Sequence, residues 1–265
     1  MNEFINYLNS TNNVGGNSTG SLAESQVKSS FYDSVKVDRK LGTYITDCVT
    51  FGNHQAFILT GHAGDGKTSI LVQVLKTLGY LQPGAGLRVE EEFANFLYIK
   101  DMSEIAAEKQ ADALRMALAA PQGQRTSLLI SNTGPLLKTF ETLVKEQKEA
   151  SGEDFTDEDR MELQSTLLAQ LDSNDDNAIE VDGYSFILVN IARVDNVPFA
   201  AKILKNILAD GLWEPCANCH CANRCPIKSN HDIVTQQFNR VAAFIENYYR
   251  YLYENDKRMT IRQMV

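Results

Sequence analysis

The chain has 265 residues, 43% of them apolar and 22% charged, with a formal net charge of −9. That is enough for one large domain, or for an α/β domain with a smaller appendage, around a substantial core. The acidic balance excludes nucleic-acid binding through an overall basic field and leaves only an indirect or local contact.

Residues 1–8 read as a short helix. They lack the basic n-region of a secretory signal. Residues 9–30 are rich in Asn, Gly and Ser and read as a flexible arm. Apolar spacing returns over residues 31–49, where Leu41, Tyr44, Ile45 and Val49 line one face of a helix, with Cys48 as a core thiol. Ala56-Phe57-Ile58-Leu59 is a short apolar run, as a buried strand requires. A glycine-rich loop follows it directly, and then a helix that stops at Gly79.

Residues 96–99 form a second strand, 104–118 an alanine-rich helix and 127–131 a third strand. Pro135 suits the first turn of the next helix, which runs to about residue 150. Thr156 with Asp159 looks like a capping box opening a helix to Leu171. Residues 172–182 read as an exposed acidic connector, 186–189 as a fourth strand, 198–208 as a helix and 232–253 as a long helix. Strands alternating with helices predict an α/β fold, a parallel sheet with helices on both faces. The pattern at residues 260–264 looks like the opening of another helix, so a longer polypeptide is expected. No apolar run reaches the roughly 18 residues of a membrane-spanning helix. A cytoplasmic protein with no membrane partner is expected.

The loop Gly61-His62-Ala63-Gly64-Asp65-Gly66-Lys67-Thr68 fits the phosphate-binding pattern G-x-x-x-x-G-K-[ST] at every position. Glycines let backbone N–H groups approach phosphate oxygens, and the helix beginning there adds its positive end. Lys67 is expected on the β- and γ-phosphates, the Thr68 hydroxyl on Mg²⁺, and Ser69 in the same first turn, with ATP as ligand. The strand before the loop and the helix after it supply the required context.

Enzymes with this loop usually carry an acid at the end of a neighbouring strand. Residues 128–130 lead instead into Ser131-Asn132-Thr133-Gly134. Asn132 can orient a water but cannot act as a base. Asp101, followed by Glu104, can position Mg²⁺ or water; the alternative is a helix cap. Asn190 and Arg193, after the fourth strand, can meet a γ-phosphate, or can serve a loop hydrogen bond and a surface ion pair. Arg258 and Arg262 can approach from a lid.

This order of elements over residues 51–265 resembles AAA+ and STAND-type P-loop ATPases, which implies a helical lid after the sheet and assembly with other subunits or with itself. The run Leu129-Ile130-Ser131-Asn132-Thr133-Gly134-Pro135-Leu136, with Trp213 and Cys225-Pro226-Ile227, is similar to bacterial anti-phage ATPases of phosphorothioation-dependent restriction, the DptF family. In that resemblance Thr133 stands where relatives carry the catalytic Glu, which implies slow turnover. The expected organisation is an arm over 1–30, a nucleotide-binding core over 31–210, a metal knuckle over 211–230 and a helical lid over 231–265.

Cys216, Cys219, Cys221 and Cys225 form C-x2-C-x-C-x3-C, with His220 inside and His231 beyond. Zn²⁺ is the expected ion, on Cys216, Cys219 and Cys225 plus Cys221, His220 or His231. The Cys225-Pro226 ending also suits an iron–sulfur cluster, although the spacing is one residue short; free or disulfide-linked thiols are the third option. Tyr248, Tyr249, Tyr251 and Tyr253 form either a partner surface or helix packing. Three functions are open: an ATPase driving a larger complex, a slow ATP-binding switch, and a small-molecule kinase, which lacks an arginine-rich lid here.

Overall fold

A computed structural model of the chain describes residues 2–11, 27–82, 84–173, 177–257 and 259–261. Most of the proposed flexible arm, together with Arg258 and Arg262, lies outside the described residues. The chain forms two compact units. One comprises Arg39–Gln82 and Leu87–Val194; the other comprises Met1–Asp38, Pro83–Gly86 and Asp195–Val265. These units divide between Val194 and Asp195, and the first helix belongs with the C-terminal helices.

The chain opens with α1 (Glu3–Thr11) and α2 (Tyr32–Val35). The sheet unit then runs α3 (Lys40–Phe51), β1 (Ala56–Thr60), α4 (Lys67–Thr77), β2 (Glu90–Glu92), β3 (Phe96–Ile99), α5 (Gln110–Ala119), β4 (Thr126–Ile130), α6 (Thr133–Ser151), α7 (Asp157–Asp172), β5 (Ile179–Val181) and β6 (Tyr184–Asn190). Leu41, Tyr44, Ile45 and Val49 all lie on α3, and α2 precedes it as a separate short helix.

The six strands lie in the order β2-β3-β4-β1-β6-β5. The inner four are parallel, as expected, but the sheet as a whole is mixed, because β2 and β5 pair antiparallel at its edges. The wholly parallel sheet of the sequence reading is corrected on this point. Side chains alternate across each strand, so the sheet builds two cores. Ile58, Ile99, Leu129 and Leu188 face α5, α6 and α7, where Leu114, Phe140 and Leu167 meet them. Phe57, Leu59, Leu128 and Ile187 face α3 and α4, where Ile45, Ile70 and Leu71 complete the packing. β1 and β4 are buried at every residue, which is why they read as continuous apolar runs.

α7 begins with the expected capping box, Thr156 and Asp159 each bonding the other's backbone N–H. A hydrogen bond from Lys148, then those from Thr156, hold the Asp159 carboxyl down at about 2.

The second unit adds α8 (Val197–Ile207), α9 (Asp210–Ala217), α10 (Pro226–Gln236) and α11 (Phe238–Glu254). The long helix expected from residue 232 is thus divided near Gln237. α1 is anchored here: Phe4 and Tyr7 pack with Leu212, Trp213 and Cys216. The Asn2 side chain accepts from the Phe4 N–H at 3.0 Å and donates to the Leu212 carbonyl at 2.8 Å.

Candidate functional site

The parallel ladder brings the C-terminal ends of four strands to one edge. Leu59 is level with Ile130, Thr60 with Asn190, and Ile99 with Leu129. The 61–66 loop, Lys100-Asp101, Ser131-Asn132 and Asn190 therefore emerge on the same side, where open α/β sheets carry their ligands.

The loop needs its glycines. Gly61, Gly64 and Gly66 have φ of 141°, 89° and 88°, values that side-chain-bearing residues rarely adopt. A Cβ on Gly61 would also lie 3.0 Å from the Ala192 amide nitrogen and 3.2 Å from the Asp65 carboxylate. Asp65 is buried and accepts the His62 N–H at 2.9 Å, which closes the turn from inside. His62 and Ala63 are exposed at the crest.

Lys67 begins α4, with Gly66 as its N-cap. Its Nζ donates to the carbonyls of Gly61 at 2.8 Å and His62 at 3.1 Å, so the ammonium lies across the loop. Burial lowers its pKa, and the negative charges of Asp65 and Asp101 oppose that effect. Asp101 is therefore near enough for its charge to act on Lys67. Thr68 and Ser69 complete the first turn, whose N–H groups have no acceptor within the helix.

Behind the loop is a brace that the sequence reading missed. Buried Arg39 donates from Nη1 to the Asp65 carbonyl at 2.7 Å. Its backbone is clamped at both ends by Gln73 of α4, whose Oε1 accepts the Arg39 N–H at 2.8 Å and whose Nε2 donates to the Arg39 carbonyl at 3.1 Å. A Gln in an otherwise apolar helix stretch was the available signal, since a buried amide must find partners.

Asp101 accepts from the Ser103 N–H at 2.9 Å and the Ser103 hydroxyl at 2.7 Å, capping a short turn. Glu104 pairs with Lys100 at 2.9 Å. Asn132 is exposed at the N-cap of α6 and makes no side-chain cap bond. Thr133 reaches back to β1, its hydroxyl 2.9 Å from that of Thr60. Asn190 lies at the same edge with both ends of its amide engaged: Oδ1 accepts the Ala192 N–H and Nδ2 donates to the Leu171 carbonyl, both at 3.1 Å. Arg193 forms an ion pair with Asp172. Asn190 and Arg193 are thus both engaged by loop and helix groups.

In the helical unit, the ligand atoms of Cys219, His220 and Cys221 lie within 4.8 Å of one another, on a mostly exposed turn. Cys216 and Cys225 are outside that group. The Cys216 sulfur is buried and accepts from Asn2 at 3.3 Å; Cys225 is the N-cap residue of α10. The His231 ring stacks on Trp213 at 4.3 Å, with its nitrogens near Asp232 and the Leu208 carbonyl. Two thiols and one imidazole form a donor set suited to a borderline-soft divalent ion.

Among the described residues, no helix is long and apolar enough to cross a membrane. Comparison with protein-family models, curated proteins and solved structures finds no match to the chain.

Proposed function

We propose that the chain binds ATP with Mg²⁺ at the 61–69 loop and is an ATPase subunit of a larger bacterial complex. The observation that carries this reading is Lys67. Its ammonium lies on the carbonyls of a loop with three glycines at positive φ, at the mouth of a helix, within reach of the Asp101 charge. Such a cradle suits a polyphosphate: backbone N–H groups and a helix N-terminus face an anion, and one lysine adds the point charge. The Thr68 hydroxyl would hold Mg²⁺, and Asp101 is the nearby carboxylate for its water shell. Bound Mg²⁺ would neutralise charge on the phosphates. The likeness of residues 129–136 and 225–227 to the phosphorothioation-dependent restriction ATPases supports a role in anti-phage defence, with other subunits as partners. Equilibrium ATP binding, measured beside steady-state hydrolysis, tests the proposal; absent binding overturns it.

A second reading, a slow ATP-gated switch, is favoured by β4. The chain after Ile130 has no carboxylate until Glu141, and Thr133 is spent on Thr60. Tight binding with negligible turnover would select it.

The brace behind the loop predicts an effect at a distance. A Cβ on Gly42 would fall 2.5 Å from the Gln73 amide oxygen. That amide cannot swing aside without losing its bonds to Arg39 and Thr43. Gly42→Ala should therefore weaken ATP binding about fivefold, equivalent to about 1 kcal/mol for one buried hydrogen bond, as titration calorimetry would read. Unchanged affinity would mean that Arg39 does not brace the loop in the bound state.

We also propose that Cys219, His220 and Cys221 hold Zn²⁺, with Cys225, four residues beyond Cys221, to complete the set; an iron–sulfur cluster is the alternative. Trp213, the one tryptophan of the chain, stands six residues before Cys219 in a cluster with Cys216. Chelation should shift its fluorescence toward that of an exposed indole. Elemental analysis that finds no metal in freshly purified protein would overturn the assignment.

A further inference from the structure

α11 carries an exposed stripe that the nucleotide reading does not use. Phe244, Tyr248 and Tyr251 are 70%, 50% and 62% exposed. The rings of Phe244 and Tyr248 stack at 6.3 Å, only 4° from parallel. The opposite side of the helix carries buried Ala242 and half-buried Val241, Ile245, Tyr249 and Leu252, and α11 packs along α8. At 100° per residue, Arg240, Phe244, Asn247, Tyr248, Tyr251 and Glu254 fall within one arc of about 120°. Tyr253 points elsewhere. Aromatic area of this kind left in water marks a contact surface.

The order of residues along the stripe identifies the occupant. Arg240, Phe244, Asn247, Tyr251 and Glu254 are spaced 4, 3, 4, 3, the seam spacing of paired helices. The series is nearly its own reverse complement. It has a cation at one end, an anion at the other, an aromatic ring inside each, and an amide in the middle. The ends are about 21 Å apart along the helix axis. If a second copy of α11 runs antiparallel about a two-fold axis at Asn247, Arg240 meets Glu254 of the second copy. Phe244 meets Tyr251 of that copy, and the two Asn247 amides meet each other. A polar residue at one seam position is the usual device for fixing register. Isologous pairing makes the Arg240–Glu254 and Phe244–Tyr251 contacts twice and the Asn247 contact once, on the axis.

The charges are available for it. Arg240 and Glu254 have no ion-pair partner among the described residues. Glu254 acts on Arg250 of its own helix, but Arg250 is already paired with Asp195 at 2.8 Å. Copies that each carry −9 repel, so the stripe must supply opposite charges locally, as these ends do. We infer that this face of α11 is a homodimer interface, formed by antiparallel pairing of two α11 helices.

Sedimentation equilibrium of the whole chain without nucleotide tests the inference, because it reads mass and not turnover. The mass should rise from 29.5 kDa toward twice that value with concentration. The double variant Phe244→Ser, Tyr251→Ser should weaken dimerisation at least tenfold, as loss of central aromatic anchors does. Arg240→Glu and Glu254→Arg should each weaken it about fivefold, and the two together should restore it, since the swap re-forms both pairs. These positions are exposed, so circular dichroism should be unchanged. A monomer at every concentration overturns the inference, as does a dimer indifferent to the serine variant or a charge swap no better than its single members. Loss of ATP binding in Lys67→Ala leaves this result untouched, which separates the two readings.

Discussion

Lys67→Ala is expected to abolish measurable ATP binding while the protein stays folded. Among the described residues Nζ donates to the carbonyls of Gly61 and His62, so its loss frees two acceptors at the loop and opens no core cavity. The apolar side of α4, Ile70, Leu71, Val74 and Leu75, remains buried. In the bound state the same ammonium would face phosphate oxygens, where a charge-assisted contact is about twice as strong as a neutral one. Its removal from a site built around a polyanion should cost on the order of 3 kcal/mol, about a hundredfold in affinity. Calorimetric titration with ATP and Mg²⁺ reads the loss, and the thermal midpoint of the apo protein should move little. Retained affinity would mean that the glycine loop is a structural turn and that the nucleotide proposal fails at its root. Lys67→Arg makes a useful companion: the charge stays, but the planar guanidinium does not fit a place shaped for a compact ammonium. It should recover only part of the binding.

The inner architecture was legible because burial on both faces leaves an unbroken apolar run. Residues 56–59, 96–99, 127–131 and 186–189 each read as strands and each is one. The edges were not. β2 is Glu90-Glu91-Glu92, a charged strand with no apolar signal, as edge strands often are. β5 was hidden in the acidic connector, although Asp182-Gly183 between Val181 and Tyr184 is a hairpin signal. Both turn residues have positive φ, 51° and 77°, as a type I′ turn requires. The loop was legible residue by residue, since its chemistry is local. Its brace was not, because Arg39 and Gln73 are 34 positions apart and meet only when α3 and α4 pack. The cysteines divided for a similar reason. Their spacing announces ligands, but Cys216 lies on the apolar side of α9 beside Phe4 and Trp213, a contact made by a helix that read as the start of a free arm.

Asp101→Asn should separate a motor from a switch. The substitution is nearly isosteric and keeps an oxygen that can accept from Ser103, so the turn it caps should survive. What goes is the charge. If Asp101 orders the water shell of Mg²⁺, turnover should fall about a hundredfold, the scale on which single electrostatic contributions act in transition states, with ATP affinity within a fewfold of the parent. A second, independent effect concerns Lys67. Burial lowers the Lys67 pKa, and the negative charges of Asp65 and Asp101 counteract it. With Asp101 neutral, the Lys67 pKa must fall further. The protonated ammonium that phosphate requires is present below that pKa and lost above it. The alkaline limit of ATP binding should therefore move to lower pH in Asp101→Asn, whatever happens to turnover. Ser103→Ala is the control, since it removes the hydroxyl bond to the carboxylate but keeps the backbone one and the charge, and it should leave that limit in place. If both the rate and the alkaline limit stay where they were, Asp101 only caps its turn. A parent protein with no turnover to lose, but with a shifted limit in Asp101→Asn, would identify a switch whose carboxylate still faces the phosphate loop.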